Sequence, residues 1–358
     1  MLMASPIIDK RIAVARMPNR TPSNGLETAN QNQIVLVPGS YPLFGNWVDP
    51  LLKQPRQYQT NAGWSHELTS DTVISVDFVD ALGRDLNTRT RLNQRIPGTT
   101  IRRLSAAIGT PLNPNTAGDR PALSVGKSNY DAAIFAIRRR LSKGVDFTAS
   151  YTLARAKSTI GSGVDQLNAT NIQDDNNPFD APVQNGPTTD TDARHRISLS
   201  AVFQLPWGLS VAPIYLFRSA LPINLIDGRD LNLDGDITEI PAIAYAVGSF
   251  DPSKPPQQQV TVTQLGACQT VNCGRGYPEQ RLNVRFAKMF RLRGRANIEA
   301  IGEVFNLFNT INPSGFLARV VVPSTGAPDP TLLQPTSYSG DFRRPEQRVG
   351  QIGFRFSF

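Results

Sequence analysis

The sequence predicts an all-β chain whose antiparallel strands pair as hairpins in the wall of a transmembrane β-barrel. From about residue 57 onward, apolar and polar residues alternate with a period of two, the mark of a strand with two unlike faces. The alternating runs come in pairs joined by turns of two or three residues, and long segments rich in Gly, Pro, Asn and Asp separate the pairs. Composition removes the alternatives. Charged residues make up 18% of the 358, well below the roughly 25% usual in globular proteins, and 27 Gly and 28 Pro stand where helical Glu and Lys would be. A helical bundle is therefore excluded. The 40% hydrophobic content is too high for a disordered chain, and no run approaches the roughly 20 apolar residues of a membrane-spanning helix.

The first pair runs from about Gln57 to Leu68, turns at Thr69 and Ser70, and returns from Asp71 to Leu82. The second runs from Tyr130 to Leu141, turns at Ser142, Lys143 and Gly144, and returns from Val145 to Ala154. The third runs from His195 to Leu205, turns at Pro206, Trp207 and Gly208, and returns from Leu209 to Arg218. The fourth runs from Gln280 to Leu292, turns around Arg293 and Gly294, and returns from Arg295 to Asn306. A last strand, from about Gln347 to Phe358, brings the number to nine. The segments between pairs (83–129, 155–194, 219–279 and 307–346) are read as long loops. Tight turns alternating with long loops at opposite ends of the strands are the pattern of barrels with short periplasmic turns and longer extracellular loops.

The faces of the strands agree. In the last strand Ile352, Phe354, Phe356 and Phe358 share one face, opposite Gln351, Gly353, Arg355 and Ser357. The strand before it sets Ala296, Ile298, Ala300, Gly302 and Val304 against Asn297, Glu299, Ile301 and Glu303, and the third pair sets Ile197, Leu199, Ala201, Phe203 and Leu205 against Arg196, Ser198, Ser200 and Gln204. A soluble β-sandwich would show the same alternation and is the competing architecture. It accounts less well for the long loops and for Arg281, Arg285, Glu299, Glu303 and Arg355 recurring on one face.

Four passages resemble the barrel of TonB-dependent outer-membrane receptors of the Oar-like group: QYQTNAGWSHELTSDTVISVDFVDALGRDL (57–86), SNYDAAIFAIRRRLSKGVDFTASYTLARAKS (128–158), DARHRISLSAVFQLPWGLSV (192–211) and EVFNLFNTINPSGF (303–316). The resemblance implies a place in the cell outer membrane and energised uptake of an unknown scarce solute, with a surface-exposed binding or adhesion barrel as the alternative. It implies contact with outer-membrane lipid and with the outer-membrane assembly machinery, which would read the terminal Phe358. Such receptors close about 22 strands around an N-terminal plug that contacts TonB. The first twenty residues carry Asp9, Lys10, Arg11 and Arg16 and no apolar run of the signal-peptide kind, and no plug-like segment precedes the strands. The chain is therefore expected to be a C-terminal fragment, or the product of a misplaced start, of a longer receptor, supplying about 9–10 strands. Residues 1–56 would be an extracellular loop or strand remnant, with a short strand at Ile34 to Val37, and residues 57–358 the barrel portion. Nine strands alone are expected not to close.

Within the longest loop, Asp230, Asn232, Asp234 and Asp236 place oxygens at every second position around Gly235, as a calcium loop does, and Glu239 would supply a late carboxylate. A solvated loop without an ion is the other reading. Cys268 and Cys273, in an oxidising exterior compartment, are expected to pair as a disulfide. Arg138 to Arg140 and the alternating Arg291, Arg293 and Arg295 adjoin predicted periplasmic turns, where they would bind headgroup phosphate or be solvated. Arg281, Arg285, Glu299, Glu303 and Arg355 are expected to face the lumen. Two Cys and two His, far apart, do not make a zinc set, and no catalytic constellation is recognisable. The balance of 37 basic against 29 acidic residues is spread along the chain without a nucleic-acid motif, so neither enzyme activity nor nucleic-acid binding is expected.

Overall fold

The computed structural model describes residues 52–89, 95–101, 122–159, 185–233, 235, 237, 239–255, 258–292, 296–339 and 346–358. Nine long strands form one sheet: β1 (Arg56–Thr69), β2 (Thr72–Arg89), β3 (Ala122–Ser142), β4 (Val145–Ser158), β5 (His195–Leu205), β6 (Leu209–Arg218), β7 (Glu279–Arg291), β8 (Asn297–Phe305) and β9 (Val349–Ser357). Each pairs antiparallel with the next in chain order, and Gly186–Pro187 adds a short rung to β4. β1 and β9 form the two edges, and no pairing joins them among the described residues. All but the last five of residues 1–56, including the strand expected at 34–37, lie outside the described residues, and Arg56 already belongs to β1.

The segment 83–129, expected to be loop from end to end, is in part strand. β2 and β3 reach 18 and 21 residues because they keep pairing through 83–89 and 122–129. Their register shifts between Gly83 and Asn87, and a bulge of this kind breaks the period of two that marks a strand in sequence.

The pairing registers carry the apolar face across the sheet. Trp64, Val76, Phe135, Tyr151, Ile197 and Phe217 lie side by side on six successive strands. Phe290, Ile298 and Phe356 do the same on the last three. In a sandwich these side chains would form the core. Here Ile352, Phe354 and Phe356 are 81%, 75% and 59% exposed, while buried apolar positions of the strands are mostly small, such as Ala132, Ala154 and Ala201. A sheet face this apolar and this bare is suited to lipid rather than to a second sheet.

Tight turns close one end. Lys143 and Gly144 both have positive φ (50° and 79°), the two-residue hairpin geometry whose twist matches the strands. A Cβ on Gly144 would lie 2.7 Å from the Gln204 carbonyl oxygen. In the β1–β2 turn the Asp71 carboxylate is held at about 2, against an ordinary 3.8, by hydrogen bonds from Ser142, Thr69 (2.5 Å) and Thr72 (3.2 Å), with Arg139 4.0 Å away. This ties the first two hairpins together.

At the other end the segments 219–279 and 307–346, expected to be open loop, fold into a cap. Ile243–Phe250 pairs with Val260–Ala267, and Gly274–Arg275 and Pro222–Ile223 extend that small sheet, while Pro313–Phe316 and Pro335–Tyr338 form a hairpin. The large apolar core of the described residues lies here, with Leu225, Val247, Val260, Leu332 and Leu333 packed together beneath Phe316 and Tyr277. The Gln334 side chain accepts the Val260 N–H at 3.2 Å and donates to its carbonyl at 3.3 Å, so it stands in for a strand neighbour. Burial alone would raise the Asp329 carboxyl, but the Thr331 hydroxyl (2.6 Å) and N–H (2.9 Å) and Arg319 (2.9 Å) outweigh it and hold it below the usual carboxylate range.

Two outcomes follow from these contacts. Leu333→Ala empties a fully buried site and should destabilise the cap by roughly 2–5 kcal/mol. Hydrogen exchange should then accelerate over 243–267 and 313–338 while the β3–β4 amides stay protected; equal acceleration in both would contradict a separate cap core. Asp71 contributes stability above its ordinary pKa of 3.8, and that contribution is lost as pH falls through about 2. Carbon-detected NMR should place its midpoint near that lower value, and a midpoint at 3.8 would mean the turn contacts are not made.

Candidate functional site

The polar face of the sheet carries its charges in cross-strand register. Arg285 on β7 faces Glu303 on β8 (3.5 Å) and reaches Glu299 (3.9 Å), and Glu299 in turn faces Arg355 on β9 (3.5 Å). Gln351 donates to Glu303. The five charged residues expected to share one face do so, and Arg281 continues the series toward the cap by pairing with Glu346 at 2.6 Å. Arg285, Glu299, Glu303 and Arg355 balance one another.

Nearer the cap the balance is lost. Thr152, Arg196, Arg218 and Glu279 form one row across β4 to β7, and Ser150, Ser198, Leu216 and Arg281 form the next. All eight line one cleft in the polar face. Arg218 pairs with Glu279 at 2.6 Å, and Ser339 donates to the other oxygen of Glu279 at 3.1 Å. Arg196 instead donates to the Thr191 carbonyl at 2.9 Å, and among the described residues no carboxylate lies within ion-pair distance of it. The sequence reading placed Arg196 on the polar face but did not bring it together with Arg218. Their signal is symmetry: they stand at matching distances on either side of the 206–208 turn, and only a hairpin register makes them neighbours.

Asparagines finish the rim of the sheet. Asn306, fully buried with φ 52°, donates to the Thr310 (2.9 Å) and Glu346 (3.1 Å) carbonyls and accepts the Thr310 N–H (2.9 Å). Asn309 accepts the Arg348 N–H at 2.9 Å, and Asn312 bonds both the N–H and the carbonyl of Gln280. The Asn-Leu-Phe-Asn passage thus turns the chain out of β8 and receives it again ahead of β9.

The remaining expected sites lie elsewhere. Asp230, Asn232 and Glu239 are in the cap, where Asp230 accepts the Gly235 N–H at 2.9 Å; Asp234 and Asp236 lie outside the described residues. Cys268 and Cys273 are joined by a disulfide. Between them Val271 and Asn272 are buried, and Asn272 donates to the Pro187 carbonyl at 2.7 Å. A Cβ on Gly186 would meet Val271 at 2.5 Å, so this tip fits into the 186–187 rung. Arg139 lies beside Asp71, Arg291 ends β7, and Arg293 and Arg295 lie outside the described residues. Phe358 is 95% exposed, and its ring lies tilted against that of Phe356 with centroids 5.6 Å apart.

A family profile described as an outer membrane beta barrel domain matches residues 8–328. No curated protein matches the sequence. Among solved structures the chain is similar to the outer membrane transporter YddB from Escherichia coli, with 12% identity and a TM-score of 0.47 over 85% of this chain and 32% of that one. It is also similar to the pyoverdine outer membrane receptor FpvA from Pseudomonas aeruginosa PAO1, with 10% identity and a TM-score of 0.43 over 88% of this chain and 32% of that one. For the FrpB iron transporter from Neisseria meningitidis the figures are 8%, 0.40, 86% and 32%. The chain spans about a third of the length of these structures.

Proposed function

The chain belongs to the outer membrane beta barrel domain family, and we propose that it builds part of the wall and outer cap of a TonB-dependent receptor of the Oar-like kind, which takes up a scarce solute. The observation that carries this reading is the division of one sheet into a bare apolar face and a charge-paired polar face. The apolar face meets lipid, and the polar face lines the lumen and meets a plug domain. The tight turns are periplasmic, and the cap stands outside the cell over the lumen. Energy enters through TonB and the plug, not through this chain. Its edges leave β1 and β9 to pair with further strands of a wall of about 22.

Phe358 at the end of an alternating strand is the feature that the assembly machinery reads. A calcium ion held by Asp230, Asn232, Asp234, Asp236 and Glu239 in the outer cap belongs to the same reading, since alternate oxygens around a glycine suit a hard cation.

Membrane fractionation tests the reading. The chain should sediment with the outer membrane and resist alkaline extraction, and protease added to whole cells should cut within the cap but not at the 143–144 or 206–208 turns. Recovery as a folded species without detergent would exclude a lipid-facing wall. Deleting Phe358 should lower the outer-membrane level several-fold at unchanged synthesis, measured by immunoblot of the fractions. If genomic sequence read upstream in frame encodes no plug domain, the transport reading falls and a binding barrel without transport takes its place.

A further inference from the structure

The cleft beneath the cap differs in electrostatic character from the balanced set of Arg285, Glu299, Glu303 and Arg355. Three guanidiniums, from Arg196, Arg218 and Arg281, line it against the single lining carboxylate of Glu279. Arg196 and Arg218 stand directly opposite each other on adjacent strands, an arrangement that repels unless an anion screens it. Arg218 has Glu279 and Arg281 has Glu346, whereas Arg196 has a backbone carbonyl at one Nη, and its Nε is shielded from water without a hydrogen-bond partner. The hydroxyl-bearing Ser150, Thr152 and Ser198 and the apolar Ile197, Leu216 and Phe217 complete the lining. Planar guanidinium forks beside neutral hydroxyl donors are the combination that recognises carboxylate or phosphate oxygens in bidentate fashion.

We propose that this cleft is an anion-binding subsite, with Arg196 as its central ligand and Arg218 and Arg281 beside it. As a substrate site it rests on the receptor reading, and the imported solute is then an anion that presents carboxylate or phosphate-type oxygens. Anion binding itself does not depend on transport. The opposing electrostatics of the wall agree: Arg285, Glu299, Glu303 and Arg355 balance locally and leave the excess positive charge near the cap.

The test is calorimetric titration of the whole chain, extracted from membranes in detergent, with citrate and with pyrophosphate as probes and maltotriose as a neutral control. At least one anion should bind saturably and the neutral sugar should not, and added NaCl should weaken the binding. Arg196→Gln should weaken it tenfold or more. Arg196→Lys, which keeps the charge but loses the fork, should fall in between, and Lys254→Gln, an exposed charge in the cap, should leave it unchanged. Matching thermal melts of the variants exclude misfolding as the cause. No saturable binding of either anion, or equal binding by Arg196→Gln, overturns the subsite. Binding of polyglutamate alone would also overturn it, by assigning the cleft to an acidic protein segment. Failure of the receptor reading is seen separately, in fractionation, so a membrane-embedded chain that binds neither anion refutes only the subsite.

Discussion

In hydrocarbon a backbone N–H or carbonyl has no water to turn to, and each one left unpaired costs several kcal/mol. The architecture of this chain follows from that constraint. Each of the seven inner strands is paired on both sides. At the rim, where strands give way to loops, asparagine side chains take over the pairing: Asn312 serves both polar groups of Gln280, and Asn306 receives the chain on either side of the long excursion before β9. The two edges are the exception, and topology restricts what can meet them. Nine strands that alternate in direction leave β1 and β9 running the same way, so a direct seam between them would be a parallel pair in an otherwise antiparallel wall. Antiparallel closure needs an odd number of further strands, which makes the total even, as single-chain bacterial barrels have it.

The alternation that serves pairing also sorts the side chains. Cross-strand ion pairs of this exposure contribute only about 0.2–1 kcal/mol each, so Arg285, Glu299, Glu303 and Arg355 do little to hold the sheet together. Their effect lies in the field they leave behind. A balanced set on β7 to β9 and an arginine-rich set beneath the cap give the polar face a positive end, and a charged surface of one sign concentrates ions of the other.

Whatever depends on a local period was legible in the sequence, and whatever depends on register or on distant contacts was not. The third hairpin has the limits its alternation predicts, because Pro206, Trp207 and Gly208 punctuate two uninterrupted runs. The second half of β2 was hidden because the irregularity between Gly83 and Asn87 changes which face each residue takes. The cap core was hidden for a different reason. Leu225, Val247, Val260, Leu332 and Leu333 come from two segments with the Gly, Pro and Asn content of loops, and none of those segments alternates long enough to announce a buried face. Arg196 was readable as a polar-face residue and Arg218 only as the end of a strand, and their meeting is a property of the β5–β6 register.

Residues 188–192 are one short stretch that touches the cap, the cleft and the wall together. Asp192 is buried, accepts the Ala156 N–H of β4 at 2.8 Å and takes Arg275 of the cap at 3.2 Å, while the neighbouring Thr191 carbonyl receives Arg196. The Cys268–Cys273 bridge encloses too few residues to gain much from chain entropy. Its effect is to hold Val271 and Asn272 as a ready-shaped peg, which seats on Gly186 and Pro187 immediately before that stretch. The cap is thus fastened to the wall beside the cleft, and the carbonyl that orients Arg196 is held from two sides. A change in how the peg seats would reach Arg196 through only a few covalently and hydrogen-bonded residues. The short disulfide loop, the least conspicuous of the expected features, is therefore the part of the cap placed to set the geometry of the charged cleft.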